Sequence, residues 1–276
     1  MDQGIHQLTA AQYHADQAPA PSLSNSLIKT LLGKSALHAR LAHPRLNPNY
    51  RPYESDRFDL GTAAHAMLLE GQDNILVVDA DDWRSKAAKE QRDNARASGI
   101  TALLRRQYDD AKAMVSVARE FADKYLPGAF AAGKPEQAML WQFGPVWCRG
   151  LVDHLSDDRS LIIDYKTTSA SSPQDWMRSS MIPFGYDTQE MWYRTGVTVI
   201  TGRQPDFVFL VQEDSAPYSC YLVECAESMR ELAGRKIARA VDLWAQCLRT
   251  DTWPGYGGRY VAQAPSWAMT EELSRE

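Results

Sequence analysis

Leu161–Lys166 reads Leu-Ile-Ile-Asp-Tyr-Lys, an apolar run ending in a carboxylate and an ammonium two residues apart. Strand side chains alternate faces, so Ile162, Asp164 and Lys166 emerge on one side, Leu161, Ile163 and Tyr165 on the other. Eleven residues before Asp164, Asp153 closes another apolar run, Arg149-Gly-Leu-Val-Asp153. A hairpin through Ser156–Arg159 sets the two carboxylates side by side. Such a pair can hold one or two Mg²⁺ ions, which prefer oxygen ligands and keep several waters. The metal polarises a phosphodiester and lowers the pKa of a bound water. A lysine beside it orients that water or offsets charge in the transition state. Asp-x-Lys is weak alone: Asp110-Ala-Lys112 matches it on a predicted solvated helix. A strand ion pair is the ordinary alternative. The Asp-ended strand before it, the apolar lead-in and Thr167-Thr168 after it raise its weight.

The elements that must position these groups follow from the chain's punctuation. Residues 1–21 are polar, with Pro19 and Pro21, and read as a flexible N-terminus. Ser22 or Ser24 can cap a helix running through Leu27, Leu31 and Leu32 to about Ala42, stopped by Pro44. Pro44–Ser55 reads as a loop. A helix is predicted from about Asp56 to Glu70, ended by Gly71. Asn74–Asp79 has strand character, and two charged helices fit Asp82–Ala97 and Ile100–Lys124. Past Pro135, three β-like runs, Glu136–Phe143, Val146–Leu155 and Ser160–Thr167, are joined by short turns. Helices at Pro173–Ser179 and Phe184–Ile200, strands at Asp206–Glu213 and Tyr218–Val223, and a helix from Ala226 to Arg249 complete the pattern. An aromatic tail carries Trp253, Tyr256, Tyr260 and Trp267. The order predicts an α/β fold, a mixed central sheet flanked by helices. Residues 22–267 form a single domain with a helical insertion at about 80–128, and 268–276 a tail.

Composition bounds less. The chain has 276 residues, 44% of them hydrophobic and 24% charged, ordinary for a soluble globular protein. No apolar run is long enough to span a bilayer. The first residues lack a basic segment followed by an apolar one, so a cytoplasmic protein without a signal peptide is expected. Cys148, Cys220, Cys225 and Cys247 form no C-x-x-C pair, which argues against structural zinc and for free thiols. Their spacing also does not suit an iron–sulfur cluster. The net charge of −5 does not advertise nucleic-acid binding, although a local groove can differ from the whole.

Residues 149–168, RGLVDHLSDDRSLIIDYKTT, resemble motifs II and III of the PD-(D/E)-x-K nuclease superfamily. The narrower likeness is to the RecE-type exonuclease branch (the exonuclease VIII nuclease domain), close to RecB-like nucleases. FDLGTAAHAMLLEG resembles that branch's histidine-bearing helix, GYDTQEMWYRTGV its Q-x-x-x-Y helix, and WPGY…APSWA its C-terminal end. Val152 stands where the superfamily's name has proline.

The resemblance implies a Mg²⁺-dependent deoxyribonuclease in which Mn²⁺ substitutes. Asp153, Asp164, His65 and the Tyr165 main-chain carbonyl would hold metal, and Lys166 would act on the attacking water. Glu136 would contact the metal or its waters. Gln189 would position the lysine or the scissile phosphate, with Tyr193, one turn on, near the DNA backbone. Without that likeness, His65 on an apolar stripe with Phe58, Leu68 and Leu69 reads as a core histidine, and Glu136 as a surface acid. Thr167 and Thr168 either donate hydroxyls to a phosphate or end the strand. Lys34, Arg40 and Arg45 are candidates for DNA contact, as is the basic stretch Arg84–Arg106; charge runs on helices are usually solvated faces. His154 points away from Asp153 and reads as structural. The likeness further implies 5′→3′ digestion of linear duplex ends to leave 3′ overhangs for recombination, a RecT-like single-strand annealing partner, and a ring-shaped homo-oligomer. The rivals are a RecB-like single-strand or structure-specific nuclease, and a catalytically silent DNA- or protein-binding module on the same scaffold. A metallohydrolase of another kind would want several histidine ligands, and of the six histidines only His65 and His154 lie near the motifs.

Overall fold

A computed structural model of the protein describes residues 1–51, 60–69, 71, 75–98 and 100–274. Along the chain come β1 (Gly4–Gln7), α1 (Ala10–His14), α2 (Asn25–Gly33), α3 (Ala36–Leu41), α4 (Leu60–Leu69), β2 (Ile75–Val78) and α5 (Lys86–Ala97). Then follow β3 (Thr101–Leu104), α6 (Arg105–Tyr125), β4 (Gly133–Phe143), β5 (Val146–Ser156) and β6 (Leu161–Thr168). The last are α7 (Pro173–Ser180), α8 (Tyr186–Thr201), β7 (Asp206–Glu213), β8 (Cys220–Val223), α9 (Glu227–Thr250) and α10 (Ser266–Leu273).

Six strands form a mixed sheet in the order β1-β4-β5-β6-β7-β8. Every pairing is antiparallel except β6 with β7. That parallel pair needs a crossover, which α7 and α8 supply. Period-two alternation gives the sheet two apolar faces. Ile162, Phe207, Phe209 and Val211 join Trp141, Trp192 and Trp244 in a core under α2, α8 and α9. Ile163, Tyr165, Val208 and Leu210 join Ala64, Met67, Met114 and Ala118 in a second core under α4 and α6. The α/β layering expected from the element order is present, and among the described residues no helix is long and apolar enough to cross a membrane.

The local departures have physical causes. The expected mobile arm carries β1 and α1: β1 extends the sheet beside β4 from Gly4↔Leu140 to Gln7↔Gln137. Asp16, at φ +61, fastens the segment from within. Its carboxylate accepts from Ser22 N (2.9 Å) and Ser22 Oγ (2.6 Å) and meets His43 Nε2 at 3.1 Å and Arg149 at 3.3 Å. Polar composition suggested mobility, but partners far along the chain supply the order. The single first helix is two, because Lys34 leaves helical geometry and Ser35 caps α3 by accepting from His38 N. The predicted Ile100–Lys124 helix is β3 and then α6. Thr101–Leu104 pairs in parallel with Ile75–Val78, and a short apolar run has no period of its own to announce that. The insertion is thus not wholly helical. The expected start of α4 near Asp56, its end at Glu70, and Phe58 as a neighbour of His65 lie outside the described residues.

Candidate active site

The site forms where two paired strands separate. β5 and β6 pair through His154↔Ile163 and Leu155↔Ile162, and the next step of that register sets Asp153 opposite Asp164. There the Tyr165 N–H donates not to β5 main chain but to Asp153 Oδ2, at 3.0 Å. On the other side, Pro135↔His154 and Gln137↔Val152 bracket Glu136 opposite Asp153, and Glu136 takes φ +49. Val152 and Leu155 feed the same core although three residues apart, so strand alternation slips at Asp153 while the pairing register with β4 is kept. Directly opposed residues of antiparallel strands share a face, so the register itself gathers Glu136, Asp153 and Asp164.

α4 closes this gap. Gly61 lets it approach β6: a Cβ there would lie 2.2 Å from Thr167 Oγ1. One helical turn on, His65 Nε2 reaches Asp153 Oδ2 at 3.1 Å, and its ring lies 6.1 Å from that of Tyr165. The Tyr165 hydroxyl is anchored on Gln212, which in turn donates to Met114 O at 2.9 Å and Tyr218 O at 3.0 Å. Donor atoms of His65, Glu136 and Asp153 all lie within 4.8 Å of one another. Two carboxylates and an imidazole make a donor set that suits a divalent cation of the Mg²⁺ or Mn²⁺ type.

Asp164 is fully buried and ion-paired with Lys166, while Gln189 Nε2 donates to its Oδ2 at 2.7 Å. Burial and the nearby Asp153 carboxylate push Asp164 up to about 7, against the pull of Lys166. Burial works the same way on Asp153, yet the Lys166 and His65 charges outweigh it and hold Asp153 below the usual carboxylate range. For Lys166, burial is outweighed by Asp164 and Asp153, so its ammonium is held above its ordinary range. Burial would lower His65, but its bond to Asp153 and the Glu136 charge raise it. Two carboxylates with opposed shifts beside one cation mark a site arranged for charge.

A cavity of about 390 Å³ opens here, lined by His65, Tyr165, Lys166, Thr167 and Tyr186 among others. The sequence reading passed over Tyr186, whose ring centre lies 5.2 Å from Lys166 Nζ. A signal existed: Tyr186, Gln189 and Tyr193 recur at helical spacing on one face of α8.

Of the expected site residues, His65, Glu136, Asp153, Asp164, Lys166 and Gln189 converge, with Tyr165 and Thr167 at the rim. Others lie apart. Tyr193 is buried in the core and hydrogen-bonded with Gln189, so it supports that side chain rather than facing a groove. The Thr168 hydroxyl accepts from Ala170 N at 2.9 Å and finishes the strand. Arg45 donates to Ala18 O at 2.6 Å, and Arg40 meets Asp251 at 3.8 Å; both bind their own chain. Lys34 only ends α2. In the basic stretch, Arg92 covers Trp83 at 5.7 Å and Arg105 meets Asp79 at 3.8 Å. His154 is buried edge-on to Phe130 and lines a cavity with Leu68 and Leu69 of α4.

Residues 24–262 match the family described as a PDDEXK-like domain of unknown function (DUF3799). The chain belongs to this family. The matched residues include Asp153, Asp164, Lys166 and Gln189, which the structure brings together with His65. The fold is that of an Eubacterium rectale protein described as a candidate exonuclease, with TM-score 0.64 at 14% identity, covering 96% of this chain and 98% of that one. An alkaline exonuclease from Laribacter hongkongensis is 15% identical over 61% of this chain and 85% of that one, but its TM-score of 0.25 carries no argument. No curated protein matches the sequence.

Proposed function

We propose that this PDDEXK-like protein is a Mg²⁺-dependent deoxyribonuclease, with Mn²⁺ as a substitute. The observation that carries the reading is the gathering of His65, Glu136 and Asp153 within 4.8 Å beside the Asp164–Lys166 pair. Metal bound there would supply Lewis-acid polarisation of the phosphodiester and an acidified water. Asp153 and Asp164 would be the charged ligands, His65 and the Tyr165 carbonyl would complete them, and Glu136, whose carboxylate lies with His65 and Asp153, would contact the metal or its waters. Lys166, held cationic, orients the attacking water and offsets charge gathering on the phosphate. Gln189 fixes the carboxylate that Lys166 contacts, and Tyr193 fixes Gln189. The 3′-oxygen leaves, giving 5′-phosphate ends.

The finer reading is 5′→3′ digestion of linear duplex DNA, leaving 3′ overhangs for recombination beside a RecT-like annealing partner, by a ring-shaped homo-oligomer in the cytoplasm. It rests on the likeness of the four motifs to RecE-type exonucleases; of the two threonines after Lys166, Thr167 lines the cavity and would donate to a phosphate. A RecB-like single-strand or structure-specific nuclease would use the same residues. A silent binding module is disfavoured because Asp153, Asp164, Lys166 and Gln189 are all retained.

The test is digestion of 5′- and 3′-labelled linear duplexes, single strands and closed circles with Mg²⁺ or Mn²⁺, alongside Asp164→Ala. Loss of 5′ label from linear duplex, intact circles and an inert variant are expected. Cleavage of circles would overturn the exonuclease reading, and inertness on every DNA would overturn the nuclease.

A further inference from the structure

The turn joining α7 to α8 presents apolar side chains to solvent beside the candidate site: Phe184 is 53% exposed and Ile182 45%. A soluble protein gains nothing by leaving a phenylalanine ring out in water. The turn is nevertheless rigidly built. Phe184 N donates to Ser180 O at 2.9 Å, Gly185 N to Ile182 O at 3.1 Å and Tyr186 N to Met181 O at 2.9 Å. Gly185, at φ +73, makes the reversal and packs against the Lys29 stem, where an added Cβ would meet Lys29 Cδ at 3.6 Å.

The exposed ring belongs to a continuous run of groups that starts in the site. Lys166 Nζ lies 5.2 Å from the Tyr186 ring centre, the Tyr186 and Phe184 centres are 5.8 Å apart, and Lys29 Nζ lies 5.8 Å from the Phe184 centre. Tyr186 is itself stacked on buried Trp176, with centres 5.6 Å apart and planes at 18°. The chain therefore alternates cation, ring, ring, cation from the catalytic cavity to the surface. Beside its outer end is a cavity of about 260 Å³ lined by Lys29, Ile182, Lys236 and Arg239. Rings interleaved with cations match a nucleic-acid strand, because every base offers a π-face and every linkage a negative charge. Bases within a duplex are stacked on each other, so an open ring selects an unpaired base.

We propose that the turn over residues 181–186 is a nucleobase-stacking platform for an unpaired DNA strand, with Phe184 stacking on a base and Lys29 holding the adjacent phosphate. This rests on the nuclease reading for its substrate. The strand runs from Lys166 past Tyr186 to Phe184, so the platform fixes the nucleotides next to the scissile linkage and favours a frayed or single-stranded end.

The test uses the whole protein in EDTA, with a single-stranded oligonucleotide carrying 2-aminopurine and a closed hairpin duplex with the same base internal. Stacking quenches 2-aminopurine. Phe184→Ala is expected to abolish the quench and weaken single-strand binding about five- to a hundredfold, with Phe184→Trp restoring both. Lys29→Ala is expected to reduce the salt dependence by about one phosphate contact. Unchanged quench and affinity in Phe184→Ala would overturn the platform, as would equal weakening on the hairpin, which would put the turn against duplex instead. Unaltered melting of the variant separates lost contact from lost fold. Quenching without any cleavage in Mg²⁺ or Mn²⁺ would leave the platform standing and remove the nuclease; cleavage with an indifferent Phe184→Ala would do the reverse.

Discussion

Gln189 Nε2 donates to Asp164 Oδ2 at 2.7 Å, joining the middle of α8 to the centre of β6. One carboxylate oxygen is thus held by an uncharged amide while the other faces Lys166. Removing the amide frees Asp164 to turn. Gln189→Ala should reduce cleavage about 10- to 100-fold, the range for groups that orient metal ligands, mainly through metal affinity or turnover. Mg²⁺ titrations of the cleavage rate check this; a wild-type rate would remove Gln189 from the site.

Gly61 faces the end of β6 so closely that an alanine Cβ would lie 2.2 Å from Thr167 Oγ1. Gly61→Ala should therefore push α4 away, costing about 1–3 kcal/mol and displacing His65 from Asp153. Denaturant unfolding measures the cost. Thr167→Ala removes the hydroxyl that clashes, so the two changes together should cost less than their sum. Strict additivity would refute the contact.

Asp164, raised from near 3.8 to about 7 by burial and by Asp153, keeps its proton in the folded protein where the unfolded chain has lost it. The stability it contributes is complete below about 3.9 and is lost as pH rises toward 7. Without divalent cation, Tm should carry a falling component across that window, absent in Asp164→Asn. Mg²⁺ should stabilise more at pH 8 than at pH 5.5, since binding must displace the proton. Thermal melts over pH, with and without Mg²⁺, decide it; a Mg²⁺ shift independent of pH would sink the assignment.

Asp16 is shifted the opposite way. Burial alone would raise it, but His43, Arg149 and Ser22 outweigh burial and hold it at about 2. Its contribution is present above about 3.9 and is lost as pH falls through 2. Asp16→Asn should remove that acid-labile component and leave Arg149 without its buried partner, costing about 3–5 kcal/mol at neutral pH. Urea unfolding at pH 7 and pH 3 tests it: the difference between variant and wild type should shrink at the lower pH.

What the sequence determined by itself was the part governed by local periodicity. Alternation in Leu161–Lys166 put Asp164 and Lys166 on one face, and the apolar runs marked β4 to β8 and the helices around them. His65 and Gln189 were named by the likeness of their motifs to a known family, since their own periodicity reads as core and helix surface. What only the tertiary structure decided depends on partners distant along the chain. The pairing of Thr101–Leu104 with Ile75–Val78, the anchoring of residues 4–22 through Asp16, and the burial of Tyr193 behind Gln189 have no local period. The same holds within the site. Glu136 meets Asp153 because β4 and β5 pair in the register that sets them opposite each other, which neither residue's local pattern encodes, with Glu136 at φ +49. A strand pattern encodes which face a residue takes; where paired strands separate is set by the packing of α4 and α8 on either side of them.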